Sequence, residues 1–453
     1  MSVGSGEAGK RGGLAGQRGS GAAGRWKRPL RVLALLALSC SGSPLAAQQA
    51  APPPRVPASP PESLTVYLMT MGPGKRVWER FGHNAIWIHD PVRGTDQAYN
   101  YGLFDLRQEN FLVRFLQGRM WYWMEGFPAQ SYVELYRRAN RSVWVQELEI
   151  RPEARRELQR FLEWNERPEN RFYHYDYYRD NCSTRIRDVL DRALDGRIRE
   201  STGDLPTGTT YRFHTQRLTA NDPLIYTGLL LALGQPVDRE ISAWEEMFLP
   251  LALREQVRGI TVDTPTGEKP LVRSERTLFK STEPAPPSRP PFWLPIYLGA
   301  GIAIGAGSLS LGYAARASRL ARAGFATLAG AWVLLAGTAG LVVAGLWGLT
   351  DHTAAYRNEN VLQMNLLGLA LLWLLPGAVH RSRAGPAALI LATTIAVFSG
   401  IGLLLKLLPA FHQVNGDIIA LALPAHLGVA GGLWCLARSQ GARSRCIASR
   451  ASE

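Results

Sequence analysis

The stretch NAIWIHDPVRGTDQAYNYGLF, residues 84–104, predicts a β-hairpin. Aromatic and β-branched residues lie on both sides of Arg93-Gly94-Thr95-Asp96, a segment with the composition of a turn. Three further segments, 63–70, 119–124 and 142–150, have the same strand-forming character. The hairpin and these segments predict a β-sheet of at least five strands.

Apolar residues at helical spacing predict helices between and after these strands. In STRIRDVLDRAL, residues 183–194, one face would carry Ile186, Val189, Leu190, Ala193 and Leu194. Further helices are predicted at 108–117, 129–139, 152–166, 224–234 and 242–257. Strands and helices therefore mix in one α+β domain, which is large enough to bury its own core.

The second half of the chain has a different composition. Long apolar runs occupy 292–315, 324–350, 361–379, 386–408 and 418–437. Each run is long enough to cross a bilayer, which takes about 20 helical residues. The predicted fold class is therefore an α+β domain followed by an all-α bundle of five transmembrane helices.

The N-terminal segment RWKRPLRVLALLALSCSGSPLAAQQA has a basic start, a short apolar stretch and small residues after it, as a secretory signal has. It would be either cleaved near 46–50 or retained as an anchor. Proline-rich segments then separate the parts of the chain. The predicted parts are a signal peptide or N-terminal anchor (1–50), a linker (51–62), the α+β domain (63–280), a second linker (281–291), the membrane domain (292–437) and a basic cytoplasmic tail (438–453).

The formal net charge of +14 is explained better by membrane topology than by a surface that binds nucleic acid. Arginines gather in the leader, in RASRLARA and HRSRAG between apolar runs, and in the tail. The other two connecting loops, DHTAAYRNEN and PAFHQVNGD, contain one arginine between them. The positive-inside rule places the arginine-rich loops in the cytoplasm and the α+β domain outside. No nucleic-acid partner is predicted.

Cys182 is the only one of the four cysteines that lies inside the α+β domain, so no disulfide framework is predicted there. Its position immediately before the helix at 183–194 suggests a reactive thiolate. Unpaired backbone amides and the helix dipole lower the pKa of a thiol at a helix N-terminus.

A cysteine nucleophile needs a base, and His83 lies between a glycine and a predicted strand. A cysteine at a helix start that faces a histidine on a strand is a papain-like arrangement, here in permuted order. Asn100, on the paired strand, is the candidate to hold the imidazole. A buried apolar cysteine beside a structural histidine is the alternative. Zinc binding by His83, His89, His174 and Cys182 is another, although their spacing matches no compact ligand motif.

The motifs FGHNAIWI, YNYGLFD, FLQGRMWYWM, DNCSTRIRD and WEEMFLP together resemble the Lnb-type periplasmic domain family. The resemblance covers roughly 64–250 and implies a permuted papain-like fold, similar to NlpC/P60 proteins and lecithin:retinol acyltransferases. It implies His83, Cys182 and Asn100 as catalytic residues. Residues near these motifs and in the membrane loop DHTAAYRNEN are candidates for substrate binding: Asn181, Arg185, Tyr101, His352, Asn358 and Asn360.

The resemblance implies a thiol acyltransferase of the bacterial inner membrane, multi-pass, with its N-terminal domain in the periplasm. A phospholipid would donate an acyl chain to Cys182, and the N-terminal cysteine of a diacylglyceryl lipoprotein would accept it. No metal or other cofactor is expected. The alternatives are an NlpC/P60-like cysteine peptidase or hydrolase acting on the cell wall, and a non-catalytic membrane-anchored assembly protein.

Overall fold

The computed structural model describes residues 59–380 and 385–450. The predicted leader, 1–50, and most of the first linker lie outside the described residues.

Strands in the described part of the chain build one large antiparallel sheet and two small ones. They are β1 (Thr65–Met71), β2 (His83–Asp90), β3 (Thr95–Leu103), β4 (Trp121–Pro128), β5 (Val143–Leu148), β6 (Phe172–His174), β7 (Pro206–Thr210), β8 (Glu240–Ser242), β9 (Thr261–Thr264), β10 (Gly267–Pro270) and β11 (Val272–Phe279). The large sheet has the order β11-β5-β1-β2-β3-β4-β6. Its five central strands are those that the sequence predicts.

The helices of the domain are α1 (Phe111–Gln117), α2 (Ala129–Arg138), α3 (Pro152–Asn165), α4 (Cys182–Ala193), α5 (Arg197–Thr202), α6 (Tyr211–Thr219), α7 (Pro223–Ala232), α8 (Ala243–Glu246) and α9 (Pro250–Arg258). The single helix predicted at 242–257 is two helices in the structure. Pro250 begins the second one because proline fits the first turn of a helix but not its interior.

Side chains alternate between the two faces of the sheet, and each face is covered by helices. On one face Ile86 and Ile88 pack in the same core as Ile186 and Leu190 of α4. On the other face, Ala85 and its neighbours pack against the tyrosines of α2. The sheet is therefore buried on both sides, and its β2 strand lies between α2 and α4.

Five helices in the described residues are long and apolar enough to cross a membrane. They contain the helices α10 (Leu294–Ala314), α11 (Arg319–Leu349), α12 (Leu367–His380), α13 (Pro386–Leu404) and α14 (Gly416–Arg450). The third span, Glu359–Gly377, begins before α12 in a 3-10 helix. The predicted fold class, an α+β domain followed by five apolar helices, is confirmed.

Helices α10 and α14 pack at the distance of backbone contact because glycines face each other. A Cβ atom on Gly428 would lie 2.1 Å from the carbonyl oxygen of Gly305, and one on Gly312 would lie 2.4 Å from the Cα of Gly432. Small residues of this kind allow membrane helices to approach closely.

Candidate active site

Cys182 occupies the first turn of α4, and Asn181 caps that helix. The Asn181 side-chain oxygen accepts backbone N–H groups of Ser183 and Thr184 at 2.8 and 2.9 Å. Its amide nitrogen donates to the carbonyls of Tyr177 and Phe248. These four bonds engage all of its polar atoms, so Asn181 fixes the start of α4. The structure therefore gives Asn181 a positioning role and leaves it no free group for the predicted contact with substrate.

The thiol lies where β3 separates from β2. Pairing between these strands ends at Ala85 and Asn100, and Gly102 then takes a left-handed φ of +90°. A Cβ atom on Gly102 would lie 3.1 Å from the Cβ of Cys182. The backbone N–H groups of Asn84, Ser183 and Cys182 act to lower the pKa of the thiol, so they lie near the sulfur.

His83 begins β2 and is followed by Asn84, whose backbone N–H lowers the pKa of the thiol. Its ring stacks on Tyr136, with centroids 6.3 Å apart and an interplanar angle of 14°. Asn100 pairs with Ala85, so His83 and Asn100 are diagonal neighbours on one face of the sheet. Within the described residues, His83 Nε2 and Asn100 Oδ1 are buried without a well-formed hydrogen bond. They are nevertheless close enough for Asn100 to raise the pKa of His83.

Burial decides the protonation of both His83 and Cys182. It lowers the pKa of His83 to about 3, and the charge of Arg141 acts in the same direction. Burial also raises the pKa of Cys182 to about 11, against the three backbone donors and Arg141. The lowered thiol pKa expected from the helix N-terminus is therefore wrong. Desolvation of a thiolate outweighs the helix end, and at rest the Cys182 thiol and the His83 imidazole are both neutral.

Arg141 is a site residue that the sequence pattern does not reveal. It is 5 % exposed, its Nε donates to the carbonyl of Gly72 at 2.8 Å, and its guanidinium lies 4.5 Å from the Tyr136 ring centroid. Among the described residues, its Nη2 atom finds no partner. A buried cation next to the cysteine and histidine can stabilise negative charge that develops during a reaction.

Tyr101 and Arg185, both predicted to bind substrate, form part of the wall around this site. The Tyr101 hydroxyl donates to Asn165 at 2.6 Å, and the residue is almost fully buried. Arg185 pairs with Asp180 and lies 3.9 Å from the ring centroid of Tyr173. Arg185 keeps about a third of its side chain exposed, whereas Tyr101 is enclosed.

The membrane loop between α11 and α12 reaches the α+β domain through His352. A ring nitrogen of His352 is 2.9 Å from the carbonyl oxygen of Phe115 at the end of α1. Its ring also stacks on Tyr177, with centroids 6.1 Å apart. Next to it, Asp351 pairs with Arg119 at 2.6 Å.

Asn358 and Asn360 have a different role from the predicted one. Their amide nitrogens donate to the carbonyls of Leu231 and Leu230 at 2.8 and 2.9 Å, and both residues are fully buried. They cap the last turn of α7, whose carbonyls have no partner within the helix. The substrate-binding assignment is corrected for these two residues, because their amides join the membrane domain to the α+β domain.

The histidines of the alternative zinc site lie apart. His89 bonds to Asp96 at 2.9 Å, and His174 packs on Trp121 with ring centroids 4.1 Å apart. Over 59–380 and 385–450, no three histidine, cysteine, aspartate or glutamate side chains are grouped so that they would hold a metal ion.

Comparison with known proteins agrees with the predicted resemblance. The family model of the Lnb N-terminal periplasmic domain matches residues 57–217, which contain His83, Asn100 and Cys182. No curated protein and no solved structure matches the chain. This domain and the five apolar helices support a multi-pass protein of the inner membrane. Residues 57–217 are therefore similar to the Lnb N-terminal periplasmic domain, and five candidate membrane-spanning helices follow this region.

Proposed function

We propose that this protein is a membrane-bound thiol acyltransferase that N-acylates the N-terminal cysteine of diacylglyceryl lipoproteins. The observation that carries the proposal is the placement of Cys182 at the start of α4, next to the strand that His83 begins. A thiol and a neutral base on two elements that pack together are the parts that covalent acyl transfer requires.

In the first step the Cys182 sulfur attacks the carbonyl carbon of a phospholipid ester while His83 accepts the thiol proton. Because the thiol is protonated at rest, His83 acts as a general base during the attack. The ester C–O bond then breaks, and His83 returns the proton to the departing alcohol of the lysophospholipid. A thioester on Cys182 remains.

In the second step the α-amino group of the lipoprotein's terminal cysteine attacks the thioester. A thiolate leaves more readily than an amine, so the intermediate collapses toward the amide. The C–S bond breaks, His83 takes the ammonium proton and returns it to sulfur, and the enzyme is ready for another cycle. Arg141 and the N–H groups at the start of α4 stabilise the charge that develops in both steps.

The arrangement of the membrane helices supports the proposed periplasmic position of the domain. The loop that contacts the domain through His352, Asn358 and Asn360 is a connection of low arginine content. The arginine-rich connection between α10 and α11 lies at the opposite end of α11 from His352. Positive-inside topology therefore favours a periplasmic position for the domain.

Mass spectrometry of a lipoprotein N-terminal peptide tests the function. The cells would depend on this protein for N-acylation and carry the native chain, Cys182→Ser, His83→Ala or the control Cys435→Ser in α14. We expect a third acyl chain with the native chain and the control, and its loss in the other two variants.

A diacyl peptide with every variant would contradict the proposal. Changed cell-wall fragments in the same cells would then indicate a cysteine peptidase or hydrolase. Unchanged lipoproteins and unchanged wall fragments would favour a non-catalytic assembly protein.

A further inference from the structure

Apolar side chains are exposed together on α1 and on the segments that pack beside it. Leu112 is 67 % exposed and Leu116 is 58 % exposed, on a helix of only seven residues. We call this surface the apolar lip and define it as Val77, Trp78, Leu106, Leu112, Val113 and Leu116, all of them exposed. A soluble surface rarely leaves so many large apolar side chains adjacent and uncovered.

The apolar lip lies at the level where the membrane helices end. The backbone N–H of Asp351 donates to the carbonyl of Gln117 at 2.8 Å, and His352 contacts the carbonyl of Phe115. Only Thr350 separates Asp351 and His352 from the end of α11 at Leu349. The C-terminal end of α1 is therefore attached to the end of a membrane-spanning helix, which lies at the boundary between hydrocarbon and headgroups.

Arginines flank the apolar lip as they flank other interfacial helices. Arg107 and Arg119 are strongly exposed on either side of α1, and Arg76 precedes Trp78. Cations beside an apolar helix surface attract the anionic headgroups of lipids while the apolar side chains contact the acyl chains.

A path of aromatic side chains leads from the apolar lip to the cysteine. Phe104 contacts both Trp78 and Phe111, with ring centroids 6.2 Å apart in each pair. Phe104 also packs on Tyr122, which stacks on Tyr175 at 4.1 Å. Tyr122 belongs to the buried core against which Phe104, Tyr175 and Cys182 all pack. Burial raises the pKa of Tyr122 and Tyr175, and a thiolate on Cys182 would raise it further.

We propose that the apolar lip inserts into the outer leaflet of the inner membrane and admits acyl chains of membrane lipids along Phe104 toward Cys182. Insertion rests on the exposed apolar residues and on their attachment to α11. The admission of acyl chains rests, in addition, on the proposed acyltransferase function.

Insertion is tested with the full chain in nanodiscs of phosphatidylethanolamine and phosphatidylglycerol. The four native cysteines are replaced by alanine, and a nitrobenzoxadiazole label is placed at Leu116→Cys or at Val92→Cys. Val92 is a matched control because it is equally exposed but lies in the β2–β3 turn, at the far end of those strands from α1. We expect lipids carrying a nitroxide on the acyl chain to quench the label at 116 and to leave the label at 92 unquenched. Equal quenching, or none at 116, would overturn insertion.

Admission of lipid is tested in the native-cysteine chain with Leu112→Asp/Leu116→Asp and with the control Val92→Asp. We expect the double variant to lose about tenfold or more in the rate of lysophospholipid release from vesicles, because charges oppose insertion. Its acylation by a short-chain, water-soluble ester should match that of the control. Equal effects on both substrates would overturn the entrance role. If the native chain releases no lysophospholipid, the acyltransferase function fails, whereas the quenching result still decides insertion.

Discussion

Gly102 and Cys182 approach so closely that a Cβ atom on the glycine would lie 3.1 Å from the Cβ of the cysteine. The glycine also has a φ of +90°, which side chains rarely tolerate. The route of β3 around the thiol thus depends on this one residue.

Replacing Gly102 by alanine should displace Cys182 and strain the backbone at a cost of about 1–2 kcal/mol. We expect acyl transfer to fall by about tenfold or more, because small misplacements of a reacting group are costly. Gly94→Ala is the control, since Gly94 also has a positive φ but a Cβ atom there meets nothing within 4 Å. Similar activity of the two variants would contradict the prediction. Denaturant unfolding measures the backbone strain that both alanine variants share, because both positions have a positive φ.

The raised pKa of Cys182 predicts its reactivity with iodoacetamide. The thiolate fraction at pH 7 to 8 should be lower than that of an unshielded cysteine, since the pKa is about 11. The alkylation rate should rise about tenfold per pH unit up to that value. A plateau of fast alkylation near neutral pH would instead indicate a preformed thiolate–imidazolium pair. The modified peptide, identified by mass, separates Cys182 from the other cysteines.

Arg141→Met should reduce acyl transfer and raise the pKa of both reacting groups, because the arginine charge lowers both. The acid limb of the pH–rate profile, set by protonation of His83, should move to higher pH. Arg138→Met is the control, since Arg138 is exposed on α2. An unshifted acid limb would show that Arg141 has only a packing role.

Asn181→Ala should destabilise the domain by about 1–2 kcal/mol, because it removes a helix cap and leaves the carbonyls of Tyr177 and Phe248 without their donor. Asn181→Asp keeps the acceptor for the N–H groups of Ser183 and Thr184 but loses the donor to the carbonyls of Tyr177 and Phe248. Its free energy of unfolding should therefore lie between those of the native chain and of the alanine variant. Urea unfolding of the full chain in detergent measures both variants. Native stability of the alanine variant would contradict the assigned role.

Gly428→Val should weaken the packing of α10 against α14, since a Cβ atom there would overlap the backbone of Gly305. We expect a lower thermal unfolding temperature in detergent. Gly400→Val on α13 should have little effect, because that position opens onto free space. Equal temperatures for the two variants would rule out backbone contact between the helices.

The sequence predicts the elements that local patterns determine. The central strands are rich in aromatic and β-branched residues, and each apolar run is long enough for a bilayer crossing. β6 has three residues, too few for a period to be read, and β11 is an edge strand in which no residue is buried. Their formation depends on the strands beside them, which a local pattern does not contain.

The places of His83 and Cys182 in the fold could be predicted from residue types and their neighbours, but their pKa values could not. His83 and Cys182 stand at recognisable starts of a strand and a helix. Their pKa values are set by burial between α2 and α4 and by Arg141, all of which depend on tertiary structure. The role of Asn358 likewise could not be predicted, because its contact with the end of α7 depends on tertiary structure.

The amide caps that Asn358 and Asn360 place on α7 mean that the proline-rich stretch at 281–291 is not a hinge between independent modules. A fragment cut there would lose the groups that terminate α7 and would present that apolar helix to water. Expression of the excised domain alone is therefore a poor route to an enzyme for assay or crystallisation. The sequence of the loop between α11 and α12 is also expected to depend on the α+β domain that it contacts. The two domains of homologous proteins should therefore not be freely exchangeable.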